Sequence, residues 1–325
     1  MKTTLKEKIS QFGQKVSEKI QEIFQTSRLN QVARKVGFVK RNSSRIKGKE
    51  FVELMSVEML QEPEISYEGL CESLEDLNPR AKMTPQGLAQ RVNTEEAVKY
   101  LKEVLEQVIT ESVKLELEKL NPGWLSIFKH VYIEDSTQGS LNEKLAEKFR
   151  WSGGSASKAS WKADLVYEVK QQLIDQLQVT AGVVADQQLG KSLVDKIKPW
   201  DLVIRDLGYL SLSELSRIAE QGGYYLSRLL KAVAVYLDKD DKSAIELTRY
   251  LKKHYGSDSV IDEVVYIGQQ ERVPCRLIAY RLPEPVVTER RRKAYKEAKK
   301  KGRSPSQEYI QWLAFSFYVT NVVRP

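Results

Sequence analysis

The 325-residue chain is long enough for two domains and a substantial core, and its 52 Lys and Arg against 44 Asp and Glu give a formal charge of +8. No apolar run approaches the roughly eighteen residues that cross a bilayer, and the N-terminus lacks the apolar stretch of a secretory signal, so no membrane partner is expected. Cys71 and Cys275 form no Cys-x-x-Cys pair, and histidine is confined to His130 and His254, which argues against a zinc ribbon, a disulfide framework and a Ser-His or Cys-His triad.

Positive charge is concentrated in two places. Residues 1–49 hold thirteen Lys and Arg against three Glu, and residues 289–303 hold nine against two. Such stripes attract phosphate backbone irrespective of base sequence, although charge runs are as often plain solvated surface. In the first, Leu5, Ile9, Phe12, Val16, Ile20 and Ile23 recur at steps of three and four, which predicts an amphipathic helix with a lysine face. A polar basic linker, Lys40 to Lys49, follows, and with it Lys40, Arg41 and Arg45 become candidate phosphate contacts.

From Phe51 a helical pattern runs through Leu54, Met55, Met59 and Leu60 to Pro63. Ser66 opens a short helix carrying Leu70, Leu74 and Leu77, Asn78-Pro79 turns the chain, and Thr84 and Pro85 supply the cap and first position of another helix with Leu88 and Val92. Two short helices at a corner fit either a helix-turn-helix, read out by Gln90 and Arg91, or a plain packing unit. After Asn93-Thr94 a long helix turns Ala97, Leu101, Val104, Leu105, Val108 and Ile109 inward and closes at Asn121-Pro122-Gly123, where a domain boundary is placed.

Beyond it, β-favouring residues lead from His130 to Glu134-Asp135, so Asp135 reads as a strand-end acid. Residues 151–157 form a small-residue connector without the spacing of a nucleotide-binding P-loop. Trp161 to Val169 and Ile174 to Val179 predict an antiparallel hairpin, and Asp186 starts a helix with Leu189, Leu193 and Ile197. Leu202-Val203-Ile204 is an unbroken apolar run, a strand buried on both faces that ends at Asp206, with Gly208 supplying a flexible turn. Ser211 and Glu214 have capping-box spacing, so a helix is expected from Leu212 through Leu215 and Ile218 to Gly222-Gly223. Further β-type runs fall at Val264 to Ile267 and Arg276 to Tyr280, and the basic tract 289–301, with Arg290, Arg291, Arg292 and Lys293, predicts a solvated helix and loop able to clamp DNA.

If their strands are neighbours, Asp135 and Asp206 meet. Two carboxylates at one point repel unless they hold a divalent ion, and hard oxygen ligands suit Mg²⁺ or Mn²⁺. A pair of such ions roughly 3.5–4 Å apart serves phosphodiester cleavage by activating a water and steadying the leaving oxygen. Either aspartate alone is more often a turn former or helix cap.

The words around the two acids narrow this. Ile133-Glu134-Asp135-Ser136-Thr137 with Leu141, Asp206-Leu207-Gly208-Tyr209, Gly223 to Leu229 and Val319-Thr320-Asn321 occur in the order found in the DDE transposases of bacterial insertion sequences, and from about Phe51 onward the chain resembles their type-four family. The resemblance implies an α/β fold: a ribonuclease-H-like core over 126–325 with a β-rich insertion at about 232–320, preceded by an all-helical DNA-binding domain at 50–125 and the basic segment 1–49. It implies Asp135 and Asp206 as catalytic metal ligands for Mg²⁺ or Mn²⁺. It also implies transposon ends and target DNA as partners, self-association in a synaptic complex, and a bacterial cytoplasmic, nucleoid-associated location. Arg228, in the strand after the second aspartate helix, joins the expected DNA contacts. The family's third carboxylate lies in Tyr-x₂-Arg-x₃-Glu-x₆-Lys after the Thr-Asn segment, where only Val322 to Pro325 remain, and Tyr225-x₂-Arg228 fails because Ala232 stands at the Glu position. The expectation is therefore a transposase truncated before its last catalytic helix. The alternatives are a non-catalytic end-binding remnant or inhibitor of transposition, and a nuclease completed by Glu134, which its neighbour Asp135 should oppose across the sheet.

Overall fold

A computed structural model of the protein describes residues 22–59, 62, 65–117, 123–151, 158–255 and 260–323. The expected amphipathic helix before Ile23, the small-residue connector at 152–157 and Pro63 lie outside these residues. The chain divides into two compact units, Met1–Asn121 and Pro122–Pro325.

The described elements of the first unit are helices: α1 (Thr26–Lys35), α2 (Gly48–Glu53), which runs on as a π-helical turn (Leu54–Glu58), α3 (Tyr67–Leu77), α4 (Pro85–Val92) and α5 (Glu95–Leu117). Two starts follow from capping chemistry: Ser66 Oγ accepts the N–H of Gly69, and Thr84 Oγ1 accepts that of Gly87 with Pro85 at the first helical position. Leu29, Phe38, Phe51, Leu54, Leu74, Leu88 and Tyr100 close one core. The expected polar linker takes part in it. Ile46 is buried, and Gly48 sits where a Cβ would lie 2.5 Å from Leu29 O, so α2 meets α1 at backbone distance. Arg91, an expected base reader, instead has its guanidinium 4.2 Å from the centroid of the Phe38 ring. On α5, Leu105 is 46% exposed rather than inward, while Tyr100 takes the buried position and donates to Leu29 O.

The second unit is built on a nine-stranded sheet of order β3-β2-β1-β4-β5-β9-β8-β7-β6. Its strands are β1 (Val131–Leu141), β2 (Ala159–Glu168), β3 (Leu173–Ala181), β4 (Leu202–Arg205), β5 (Tyr224–Arg228), β6 (Val235–Tyr236), β7 (Val260–Ile267), β8 (Val273–Arg281) and β9 (Phe315–Thr320). β2 and β3 form the expected antiparallel hairpin, while β1, β4 and β5 run parallel, as strands joined by helical crossovers must. The β-rich segments beyond 231 extend this same sheet. β9 docks on β5 through the Thr-Asn segment: Thr320 Oγ1 donates to Tyr225 O, while Asn321 accepts from Tyr225 N and donates to Gly223 O.

Two of the crossovers are helical. The first holds two short helices, α6 (Asp186–Leu189) and α7 (Lys191–Val194), where one was expected, and the second is α8 (Leu212–Glu220). Their Leu193, Val194, Leu215 and Ile218 pack with Leu251 of α9 (Leu247–Tyr255) against Val203, Tyr225, Leu277 and Val319 of the sheet. Each such fully buried aliphatic side chain is worth about 1.5–3 kcal/mol. On the opposite face Ile133 stays 39% exposed and Ile204 half-buried, so β4 is not covered on both sides. The expected capping box is absent. α8 does begin at Leu212, yet Ser211 makes no side-chain cap, and Glu214 turns inward to Arg205. The basic tract lies on the long helix α10 (Glu284–Lys300), followed by α11 (Gln307–Trp312). Among the described residues no helix is long and apolar enough to cross a membrane.

Candidate active site

The parallel register of β1 and β4 pairs Glu134 with Arg205, and that of β4 and β5 pairs Arg205 with Ser227. The next residue on each strand is therefore Asp135, Asp206 and Arg228, one row further along. Side chains alternate across a sheet, so the first row faces the core and the second the open side. Glu134, Arg205 and Ser227 are buried, whereas Asp135 is exposed and the Asp206 side chain keeps 55% of its surface. Arg228 Nη1 pairs with Asp206 Oδ1 at 3.1 Å, and Asp135 Oδ1 accepts the N–H of Ser136 at 2.8 Å. The expectation that Asp135 closes its strand is corrected, since β1 continues to Leu141. It is β4 that stops at Arg205, which frees the backbone beside Asp135 and places both acids at the lip of the sheet.

Beneath the open row is a polar layer that the sequence reading missed. Arg205 Nη1 donates to Glu214 Oε2 at 2.9 Å and Nη2 to Gly190 O at 2.5 Å. Arg205 Nε lies 2.5 Å from Glu134 Oε2, but its N–H is not aimed along that line, so the contact is an ion pair without a directed hydrogen bond. Burial pushes the Glu134 carboxyl up to about 7 against the pull of Arg205, and burial raises Asp164 and Glu214 as well. Tyr209 OH donates to Asp164 on β2, the register partner of Ser136. Ser136 Oγ and Lys162 Nζ both donate to Asp186 Oδ1, at 3.0 and 2.7 Å.

Gly208 is explained by the same layer. It carries no positive φ and lies in a 3₁₀ turn, Leu207–Tyr209, not in a flexible one. A Cβ there would stand 2.5 Å from Asp186 Oδ2, so glycine is needed for close approach. Charged residues inside apolar strand runs, such as Arg205 and Glu134, were the signal that could have revealed this layer. His130, expected to be structural, binds Asp201 Oδ1 through Nδ1 at 2.8 Å at the start of β4.

A cleft of about 470 Å³ opens beside Asp206, lined by Arg228, Lys231, Arg290, Lys293, Tyr309 and Trp312 among others. A neighbouring hollow shares Lys231 and Tyr309 and adds Lys301 and Arg303. Lys231 was not foreseen. The expected solvated helix is only partly so: Arg290 donates to Phe315 O and Arg291 to Ile310 O, fastening α10 to β9 and α11. Arg292 and Lys293 are largely exposed and pair with Glu289. In the first unit Lys40 pairs with Glu96, Arg45 donates to Lys82 O, and Arg41 is exposed in a turn. Both cysteines are free and buried.

As a metal site, Asp135 and Asp206 offer two hard, solvent-reached carboxylates on adjacent strands, which fits a divalent ion. Among the described residues no group of three or more His, Cys, Asp or Glu converges.

Residues 128–321 match the family described as Transposase DDE domain. The chain is 30% identical over 309 residues to the transposase for insertion sequence element IS231B of Bacillus thuringiensis subsp. berliner, covering 90% of this chain and 63% of that protein. It is 27% identical over 321 residues to that for IS231F of Bacillus thuringiensis subsp. israelensis, covering 94% and 66%. To that for IS1151 of Clostridium perfringens it is 24% identical over 324 residues, covering 94% and 67%. The chain thus spans 63% to 67% of the length of these relatives. With the matched segment running from just before β1 to the Thr-Asn end of β9, and so taking in both aspartates, this chain belongs to the transposase DDE domain family.

Proposed function

We propose that this chain carries out DNA transposition chemistry, cleavage at element ends and strand transfer, from a ribonuclease-H-like core in which Asp135 and Asp206 are the catalytic carboxylates. The observation that carries the reading is the row Asp135, Asp206, Arg228 at the open lip of three parallel strands, the position where ligands of parallel sheets gather. A divalent ion, Mg²⁺ or Mn²⁺, would be held by Asp135 and Asp206 and would supply water activation and charge neutralisation at the leaving oxygen. Arg228 offsets the charge of Asp206 and presents its remaining donors to the adjoining cleft. There Lys231, Lys293, Lys301 and Arg303 offer cations to a phosphate backbone, and Tyr309 and Trp312 offer aromatic surface. Lys40, Arg41 and Arg45 add backbone contacts from the first unit. Arg290, tied to carbonyl oxygen, shapes the cleft more than it binds, and Arg291 is held to Ile310 O. Two element ends are brought together by self-association, in the cytoplasm at the nucleoid.

The test is nicking of element-end DNA in Mg²⁺ or Mn²⁺ by the chain and by Asp135→Asn and Asp206→Asn, each of which should abolish it. A second reading is favoured by one observation: the described residues supply no third metal carboxylate. In that reading the chain retains end binding without cutting and inhibits intact copies. Salt-sensitive binding of end DNA without nicking would support it, and nicking by the parent chain would exclude it.

A further inference from the structure

Glu134 and Arg205 are register partners, each immediately preceding one of the two site aspartates, and they form an ion pair on the core side of the sheet. Their side chains are 0% and 4% exposed. A buried charge pair is a poor source of stability, because desolvation offsets much of the attraction, and apolar residues of like volume commonly serve as well or better. Its presence directly under the site therefore calls for another explanation. The Arg205 side chain joins three elements beside the aspartates: Glu134 of β1, Glu214 of α8 and Gly190 O between α6 and α7. Lysine could not do this, since the planar guanidinium presents its donors in a fixed fork.

We propose that Arg205, with Glu134 and Glu214, is a positioning cluster that fixes the relative height and twist of β1 and β4, and so the spacing of the Asp135 and Asp206 carboxylates. None of the three touches the ion or the DNA. Asp135 follows Glu134 on one strand and Asp206 follows Arg205 on the next, so each carboxylate is one peptide unit from an anchored side chain. A displacement of either strand at the pair is passed directly to the site. The helix-borne Glu214 takes Nη1 of the guanidinium while Glu134 faces Nε, so the two carboxylates hold different atoms of one planar group. This rests on the two-aspartate metal reading above, and the test below separates the two.

The test uses the full 325-residue chain in two measurements. Mn²⁺ affinity is read from the free-Mn²⁺ electron paramagnetic resonance signal, with Asp135→Asn and Asp206→Asn as site controls. Strand geometry is read independently of metal, from the rate of disulfide formation in an Asp135→Cys, Asp206→Cys chain. Both are compared with a triple replacement, Glu134→Leu, Arg205→Met, Glu214→Leu, which keeps the volume and removes the charges. We expect the triple variant to remain folded, to bind Mn²⁺ about tenfold more weakly, in the range found for residues that orient metal ligands, and to cross-link at least fivefold more slowly. Arg205→Lys keeps the charge without the fork and should show the same two losses, which covers failure of the triple variant to fold. Unchanged cross-linking in both variants would overturn the proposal, whatever the Mn²⁺ result. Parent Mn²⁺ binding that ignores the site controls would instead overturn the metal reading, with the cross-linking comparison still deciding the positioning role.

Discussion

Replacing Gly208 by alanine tests whether the second aspartate turn is held by close approach to Asp186. The added methyl would stand 2.5 Å from Asp186 Oδ2, nearer than any unstrained carbon–oxygen contact. Asp186 cannot simply swing aside, because its other oxygen is held by Lys162 at 2.7 Å and Ser136 at 3.0 Å, in a setting where the Lys162 side chain is only 9% exposed. Either the turn moves or those bonds break, and forced overpacking and loss of a buried charged hydrogen bond each cost about 1–3 kcal/mol. A penalty of about 2 kcal/mol is expected in the parent chain. In an Asp186→Ala background the obstructing carboxylate is gone, so the same glycine substitution should cost less than about 0.5 kcal/mol, the usual tolerance for additivity. All five tryptophans, Trp124, Trp151, Trp161, Trp200 and Trp312, lie in the second unit, so urea unfolding followed by tryptophan fluorescence reports that unit alone. Equal penalties in the two backgrounds would refute the close-approach account and leave backbone flexibility as the reason for the glycine.

Tyr209→Phe leaves Asp164 without its hydroxyl donor while that carboxylate stays fully buried, and should cost about 1–3 kcal/mol by the same fluorescence assay; a neutral result would mean the hydroxyl bond contributes nothing. Burial pushes the Cys275 thiol up to about 12, so it should resist alkylation at pH 8 in the folded chain and react at once in denaturant; rapid labelling of the native protein would contradict its buried place on β8. Glu134, raised to about 7 against the ordinary 4.5, keeps its proton in the fold between those pH values, where the unfolded chain has lost it, and ionises against Arg205 as pH rises through 7. Its contribution is therefore full below about pH 4.5 and lost as pH rises through 7, amounting to at most about 3 kcal/mol. Relative to Glu134→Gln, the parent should lose stability between pH 5 and 8, and parallel curves would refute the burial of that acid.

Local rules were enough where the chain satisfies them locally. Ser66 and Thr84 cap the helices they were expected to cap, the hairpin turns at Lys170-Gln171-Gln172, and Leu202 to Arg205 forms a short strand with an acid directly after it. Expectations failed where a distant partner outbid the local one. Glu214 has the spacing to cap its own helix, but Arg205 offers a buried cation and takes it. Arg91 stands on the helix where polar readers are expected, yet its guanidinium lies over the Phe38 ring. Ile46 sits among Lys, Arg and Ser, and its neighbours read as linker, but one apolar side chain finds the core and draws the segment in. Ser136-Thr137-Gln138-Gly139 is small and polar and predicts a strand end at Asp135, whereas pairing with β2 carries β1 on to Leu141.

The site itself depends on a property of sheets that no single residue announces. Glu134-Asp135 and Arg205-Asp206 are adjacent charged pairs, and in solution or on a helix neither would separate its two members. In a strand of period two, one member of each pair must enter the core and the other must leave it. The inward members have opposite charges and face each other, whereas the outward members have the same charge and stand toward solvent, with Arg228 paired to Asp206. A slip of one residue between β1 and β4 would exchange faces for a whole strand, burying an aspartate and exposing its neighbour, so register and site are specified together. That is why a charged dipeptide at the same height on two parallel strands is a stronger mark of such a site than either aspartate alone. It also explains why Arg228, one row on from Ser227 in β5, arrives beside Asp206 by the same parity.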